Sequence, residues 1–414
     1  GSFALACSVR ECRGTVFGNH EQTPNPWHYF IMQTFRFDPC ELPDSALALR
    51  DDIRAFLATE LDGFPARKRA ETWMGWDAEF SRKLGQKGWI GMTWPKQYGG
   101  QERSALDRYV MLEEMLSAGA PVAAHWIGDR QSGPLLLNYG TEEQRQKYLP
   151  KIASGESFFC IGMSEPDSGS DLASVRTKAE RTEEGWRVNG TKLWTSGAHR
   201  AHVMIALFRT ATEEGNRHGG LTQFLVDLDT PGITIRPIKD LSGNAHFNEV
   251  IFEDVWVPDS QRVGETHGAW KQVTAELAYE RSGPERYLSC YPLMAELVQE
   301  LGDKGTASER DEIEIGRVVA ELSTLRQMSV SVAGMLEAGQ NPALEASVVK
   351  DLGAVLEQRM PGLATELLDR PFHLGTGGLD EAAAYLVQNA PSFSLRGGTR
   401  EILRGIIARG LGLR

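Results

Sequence analysis

Two stretches of this 414-residue sequence gather residues able to do chemistry. In the first, Gly162-Met163-Ser164-Glu165-Pro166 leads into a turn of Asp167, Ser168, Gly169, Ser170 and Asp171. Further on, Lys192-Leu193-Trp194-Thr195-Ser196-Gly197 sets an indole beside two hydroxyls. Small residues let a ligand approach the backbone, and their free N–H groups can meet an anion. A flat ring with a phosphate tail would suit that surface, although the same residues also suit a β-rich region whose Trp is core. The second stretch, Leu277-Ala278-Tyr279-Glu280-Arg281, puts a carboxylate beside a guanidinium on a helical segment. By itself such a Glu reads as a surface residue capable of an ion pair with a neighbour.

These residues must be positioned by three kinds of surroundings. From Asp44 the chain reads as helical, with Ala46, Leu49, Ile53, Phe56 and Leu57 at helix spacing. Thr141-Glu142-Glu143-Gln144 is a capping box. Leu106–Ala118 predicts a packed helix whose Glu113 and Glu114 form a solvated edge. Residues 158–260 read as short strands, including Val203–Phe208, Thr222–Val226, Ile233–Pro237 and Glu249–Val257, and Asn189-Gly190 signals a hairpin. Their spacing predicts a small antiparallel barrel or sandwich. From Gly268 helices return, over Ala269–Leu301, Asp311–Ala338, Pro342–Leu368 and Ala382–Val387. The domains expected are an N-terminal helical one at 32–157, a central β-barrel at 158–262 and a C-terminal helical bundle at 263–414. Residues 1–31, which begin Gly-Ser and lack periodicity, read as a tag or non-native extension.

A net charge of −12 argues against nucleic acid or an anionic membrane as the main partner. No apolar run of about 18 residues occurs, so no membrane span is expected. Five scattered cysteines lack metal-ligand spacing, which predicts no metal site and fits reduced thiols in a cytoplasm. No G-x-G-x-x-G follows a strand and opens a helix, so a Rossmann site is unsupported.

The ordered pair of Ser164-Glu165-Pro166-x-x-Gly169-Ser170-Asp171 and Asn189-Gly190-x-Lys192-x-Trp194-x-Ser196 resembles the signature of the acyl-CoA dehydrogenase family. Trp94-Pro95 to Gly99-Gly100 is similar to a further segment of it. The resemblance covers nearly all of residues 40–414 and implies a mostly α fold with a central β-barrel, in helix–barrel–helix order. It implies FAD as cofactor, an acyl-CoA as substrate, α,β-desaturation as reaction and an electron-transfer flavoprotein as acceptor. By the same carry-over, Met163, Ser164, Ser170, Trp194, Ser196 and Thr399 bind the flavin, and Ser170, Arg281 and Gly397 the substrate. The family places its catalytic Glu at one of two positions. Here the C-terminal one, in Leu395-Arg396-Gly397-Gly398-Thr399, is Gly397, so the resemblance to the isovaleryl and long-chain type assigns the base to Glu280. A homodimer or homotetramer is implied, but the Arg-x-x-Phe-Gly motif is absent and Gln-x-x-Gly-Gly-x-Gly is reduced to Phe372–Gly378. A non-catalytic or paired subunit of a heteromeric enzyme, and a monooxygenase or nitroalkane-oxidising relative, are therefore the alternatives.

Overall fold

The computed structural model describes residues 35–413 apart from 281, 306, 374 and 376, without the side chains of 275–280 and 304. The stretch 1–31 lies outside the described residues. Helix α1 (Asp44–Glu60) buries Ala46, Leu49, Ile53 and Leu57. After α2 (Ala66–Arg69) and α3 (Ala78–Gln86), α1 packs along α4 (Ala105–Ser117). Helix α5 (Ala123–Ile127) runs through one π-helical turn at Gly128–Ser132 into α6 (Gly133–Tyr139), and the capping box opens α7 (Glu142–Ala153) as expected.

The solvated edge expected on α4 is not observed. Glu113 and Glu114 are buried, and four guanidinium–carboxylate pairs neutralise them: Arg326 pairs with Glu113, Arg54 with Glu114, and Arg50 with both. An acidic pair on an otherwise apolar helix reads as solvated only while its partners, 60 to 213 residues away, are unknown.

The middle of the chain forms β1 (Phe159–Gly162), β2 (Lys178–Arg181), β3 (Gly185–Lys192), β4 (Val203–Arg209), β5 (Leu221–Asp227), β6 (Ile233–Ile238), β7 (Phe247–Pro258) and β8 (Arg262–Val263). They make one sheet in the order β6-β7-β3-β2-β4-β5-β8. Where the sequence predicts a barrel, the ladder is an open path, and β6 and β8 do not pair with each other among the described residues. Strand β4 carries β1 (Phe159↔Val203 to Gly162↔Ala206) and then β2 (Lys178↔Arg209), both parallel to it and in tandem along one edge. The ligand-like turn of residues 163–177 is the excursion between them.

Asn189-Gly190 is not a hairpin turn. It lies inside β3, where the register against β7 shifts between Val188 and Gly190, and the β2–β3 reversal falls at Thr182–Gly185. Gly190 has φ +144°, and a Cβ there would come within 2.6 Å of the Thr177 hydroxyl. The dipeptide therefore supplies a strand irregularity pressed against the excursion.

The returning helices are α8 (Ala269–Glu280), α9 (Tyr291–Lys304), α10 (Glu309–Glu337), α11 (Ala343–Leu368), α12 (Gly378–Asn389) and α13 (Arg400–Gly410). The single helix expected over Ala269–Leu301 is broken, because Gly283-Pro284 is extended at Gly283 and Pro284 cannot continue an α-helix. One large apolar core joins the helices before and after the sheet, and a second fills the sheet's own interior. No helix among the described residues is long and apolar enough to cross a membrane.

Candidate functional site

The two signature segments are stitched together by a buried ion pair. Lys192, 0% exposed, places Nζ 2.7 Å from Glu165 Oε1 and donates to the Met163 carbonyl at 3.1 Å. Glu165 also accepts from the backbone N–H of Arg176 (2.6 Å) and Thr177 (2.9 Å), which closes the excursion on itself. Burial pushes the Lys192 ammonium down to about 8 against the pull of Glu165. Burial works to raise the Glu165 pKa, yet Lys192 and the donated hydrogen bonds leave it below the usual carboxylate range. At neutral pH both groups are charged. The Leu193 N–H donates to the Ser164 carbonyl at 2.9 Å, so Met163, Ser164, Trp194 and Ser196 are brought onto one surface.

Trp194 stands out on that surface. Its φ of +63° is the left-handed region that bulky L-residues avoid, and its indole is 55% exposed. Phe247 meets it edge-on, with ring centroids 5.9 Å apart. Next to it, the Thr195 hydroxyl oxygen is buried with no hydrogen-bond partner among the described residues, while its backbone is tied to Asn248. An exposed indole face held in a strained conformation, next to a segment tied to half-buried Ser164 through Leu193, fits a flat ring with polar edges such as the isoalloxazine of FAD. Ser170 is exposed on the excursion's outer turn.

The C-terminal residues gather separately. Thr399 caps α13 through its hydroxyl, and Gly397 and Gly398 both have positive φ, at +69° and +97°. Phe247 lies between His246 and the indole. His246 packs edge-on to Phe247 at 4.9 Å, and its pKa is pushed down to about 4 by burial, with Arg200, His199 and Arg396 reinforcing the shift against Asp240.

Glu280 is the last residue of α8; its side chain, and Arg281 altogether, lie outside the described residues. Immediately after them, Ser282, Gly283 and Pro284 line a cavity of about 440 Å³. Its other walls come from α4, the π-turn, α6 and α10, and they mix apolar Trp94 and Leu112 with Arg108 and Asp129. Arg108 pairs with Asp129 at 2.8 Å, and Asp129 also accepts from the Gly91 N–H at 2.7 Å. Arg130 pairs with Glu285.

Sequence reasoning gave no role to Lys192, Glu165, Arg286 or Lys350. Lys192 had a readable signal: it shares the inward parity of Trp186 and Val188 on β3, so a lysine there needs an internal partner. The other cations carry no such signal, because what they touch is remote in sequence.

The family models for the acyl-CoA dehydrogenase N-terminal, middle and C-terminal domains match residues 43–156, 160–255 and 289–412. The chain is similar to acyl-CoA dehydrogenase FadE26 of Mycobacterium tuberculosis, 33% identical over 87% of this chain and 90% of that protein. It is 32% identical to FadE34 of the same organism over 88% of this chain, but spans about half of that protein's length (48%). Among solved structures it resembles the Tcur3481-Tcur3483 steroid ACAD, with TM-score 0.80 and 30% identity over 90% of this chain and 99% of that one.

Proposed function

Because this chain belongs to the acyl-CoA dehydrogenase family, whose members are FAD flavoproteins, we propose that it desaturates an acyl-CoA between its α and β carbons with Glu280 as base. FAD, when bound, supplies a two-electron acceptor that takes the β-hydride. Met163, Ser164, Trp194 and Ser196 form its ring shelf, with Ser170 and Thr399 contributing at the edges of the site. Glu280 removes the α-proton, a step for which a positioned base is worth about 10²–10⁴-fold. The Gly397 amide holds the thioester oxygen as enolate charge develops there. Arg281 and Ser170 shape the substrate channel.

The observation that carries this reading is the pairing of Glu280 at the end of α8 with a glycine at the family's other base position. One site is empty and the other filled, and the residues that follow Glu280 line a cavity of about 440 Å³. The steroid ACAD to which the chain is similar, together with the volume of that cavity, supports a bulky, ring-bearing acyl group. Anaerobic bleaching of the bound flavin by a panel of straight, branched and steroid side-chain CoA thioesters tests the proposal. A flavin that none of them reduces would sink it.

A second reading is favoured by the reduced motifs at Phe372–Gly378 and by a relative whose name pairs Tcur3481 with Tcur3483. In it the chain works with a second, different subunit that completes the grip on FAD, and an electron-transfer flavoprotein accepts the electrons. Copurification of a coexpressed homologue, with flavin content rising on assembly, would favour it over a homodimer or homotetramer. Domain limits of 32–157, 158–262 and 263–414 are proposed with it.

A further inference from the structure

The turn Arg396-Gly397-Gly398-Thr399 is gripped by two buried cations, each on a peptide carbonyl. Arg286 donates from Nη1 to the Arg396 carbonyl at 3.2 Å, and Lys350 donates from Nζ to the Gly398 carbonyl. The Arg396 side chain reaches Glu357 at 3.0 Å and Ser289 Oγ at 3.2 Å, beneath the Trp73 and Phe393 rings. Arg286 also meets Glu285 at 3.3 Å, and Glu285 pairs with Arg130. Behind the turn, Arg130 and Arg286 thus meet Glu285, and Arg396 meets Glu357.

The carbonyl of residue 396 and the amide of Gly397 are the two ends of one conjugated peptide unit. A cation at that oxygen draws electron density along the unit and makes its N–H a stronger donor, an effect that a low-dielectric interior enlarges. The Gly397 amide itself has no hydrogen-bond partner among the described residues. Fixing a carbonyl needs only a neutral donor; a buried guanidinium is costly to desolvate and is not needed for that alone.

We propose that Arg286 is a positioning residue for the desaturation: acting through the 396–397 peptide, it strengthens the hold of the Gly397 amide on the thioester oxygen. The proposal rests on the reading above that this amide meets that oxygen. Lys350 fixes the other end of the turn, so that the donor keeps its aim while charge builds on the substrate.

The test uses the full chain loaded with FAD, together with any partner subunit it requires. The probes are 3-thiaacyl-CoAs of short and long chain, ¹³C-labelled at the thioester carbonyl, whose β-sulfur leaves no hydride to transfer. In the wild type, the bound carbonyl stretch is expected to fall below its position in water. Arg286→Gln is expected to lose at least half of that shift and to lower kcat about tenfold with KM unchanged, while Arg286→Lys restores most of both. An equal shift in wild type and Arg286→Gln overturns the proposal and leaves the Gly397 reading standing. An unshifted wild-type band overturns the Gly397 reading and this one with it. If Arg286→Gln does not fold, Glu285→Gln tests the same point with opposite sign. Removing that counter-charge should enlarge the shift, and an unchanged or smaller shift counts against Arg286.

Discussion

Lys192 Nζ and Glu165 Oε1 lie 2.7 Å apart in a region closed to solvent at the lysine, joining segments 27 residues apart in sequence. The pair ties the segment of Met163 and Ser164 to the end of β3 that leads into Trp194, so its integrity and the geometry of the proposed ring shelf are coupled. Removing one partner of a buried pair strands the other, at a cost of about 3–5 kcal/mol. Lys192→Met is therefore expected to lower the urea midpoint substantially and to release FAD, read from the ratio of flavin to protein absorbance. A Lys192→Met protein with wild-type stability and full flavin content would contradict this account.

Trp194 separates stability from binding. Its left-handed backbone costs about 1–2 kcal/mol, while its half-exposed indole returns little packing to the fold. Trp194→Gly should leave the apoprotein's melting temperature unchanged or higher. Loss of ring stacking, worth about 0.5–1.5 kcal/mol beyond area, should weaken FAD binding several-fold, and Trp194→Phe should recover part of it. Titration of apoprotein with FAD, followed by flavin fluorescence, reads both variants.

The two base positions offer a swap. Glu280→Gln should slow flavin reduction by about 10²-fold or more. Glu280→Gly combined with Gly397→Glu should restore a measurable fraction of the rate. Full recovery is not expected, because Gly397 has φ +69°, a conformation that a glutamate adopts only with strain. Stopped-flow reduction rates for the single and double variants decide the matter, and a double variant no faster than Glu280→Gln argues against two interchangeable positions.

His125 makes stability depend on pH. It is 4% exposed, with Nδ1 2.9 Å from the Ser81 hydroxyl. Burial pushes its pKa from 6.5 down to about 4, with Asp129 opposing and Arg108 assisting. Between those values the unfolded chain binds the proton and the folded one does not. The stabilisation is therefore complete above pH 6.5 and is lost as pH falls toward 4, by up to about 3 kcal/mol. Urea midpoints at pH 7, 5.5 and 4.5 should show this slope in the wild type and a shallower one in His125→Asn.

Much of the fold was legible because its elements announce themselves locally. The capping box at Thr141–Gln144, the apolar spacing of α1 and the β-branched runs of β4, β5 and β7 all depend on neighbours within a few residues. Errors arose where local wording has two meanings. Asn189-Gly190 reads as a turn, yet within a strand it serves a bulge, and only the approach of Thr177 decides between them. Glu113 and Glu114 read as solvated because Arg50, Arg54 and Arg326 come from elsewhere in the chain. In the proposed site, the exposed and strained indole of Trp194 lies in the segment that the motif singles out. The cations behind Gly397 were not, since Arg286, Lys350 and Arg396 meet only after α9, α11 and the C-terminal turn have packed.

Strands β1 and β2 lie in tandem along a single edge of β4, and residues 163–177 leave that edge at Gly162 and rejoin it at Lys178. Arg209 anchors the point of return by donating to the carbonyls of Ala173 and Gly219, while the Arg209 N–H bonds to the Thr177 carbonyl. The excursion is a siding on a through track. Its exposed outer turn, residues 166–171, can be rewritten without changing how any strand is aligned, provided that Glu165 keeps Lys192 and Thr177 keeps its place against Gly190. Engineering has the same freedom within those limits: a turn transplanted between Glu165 and Leu172 leaves both attachment points and the buried stitch in place.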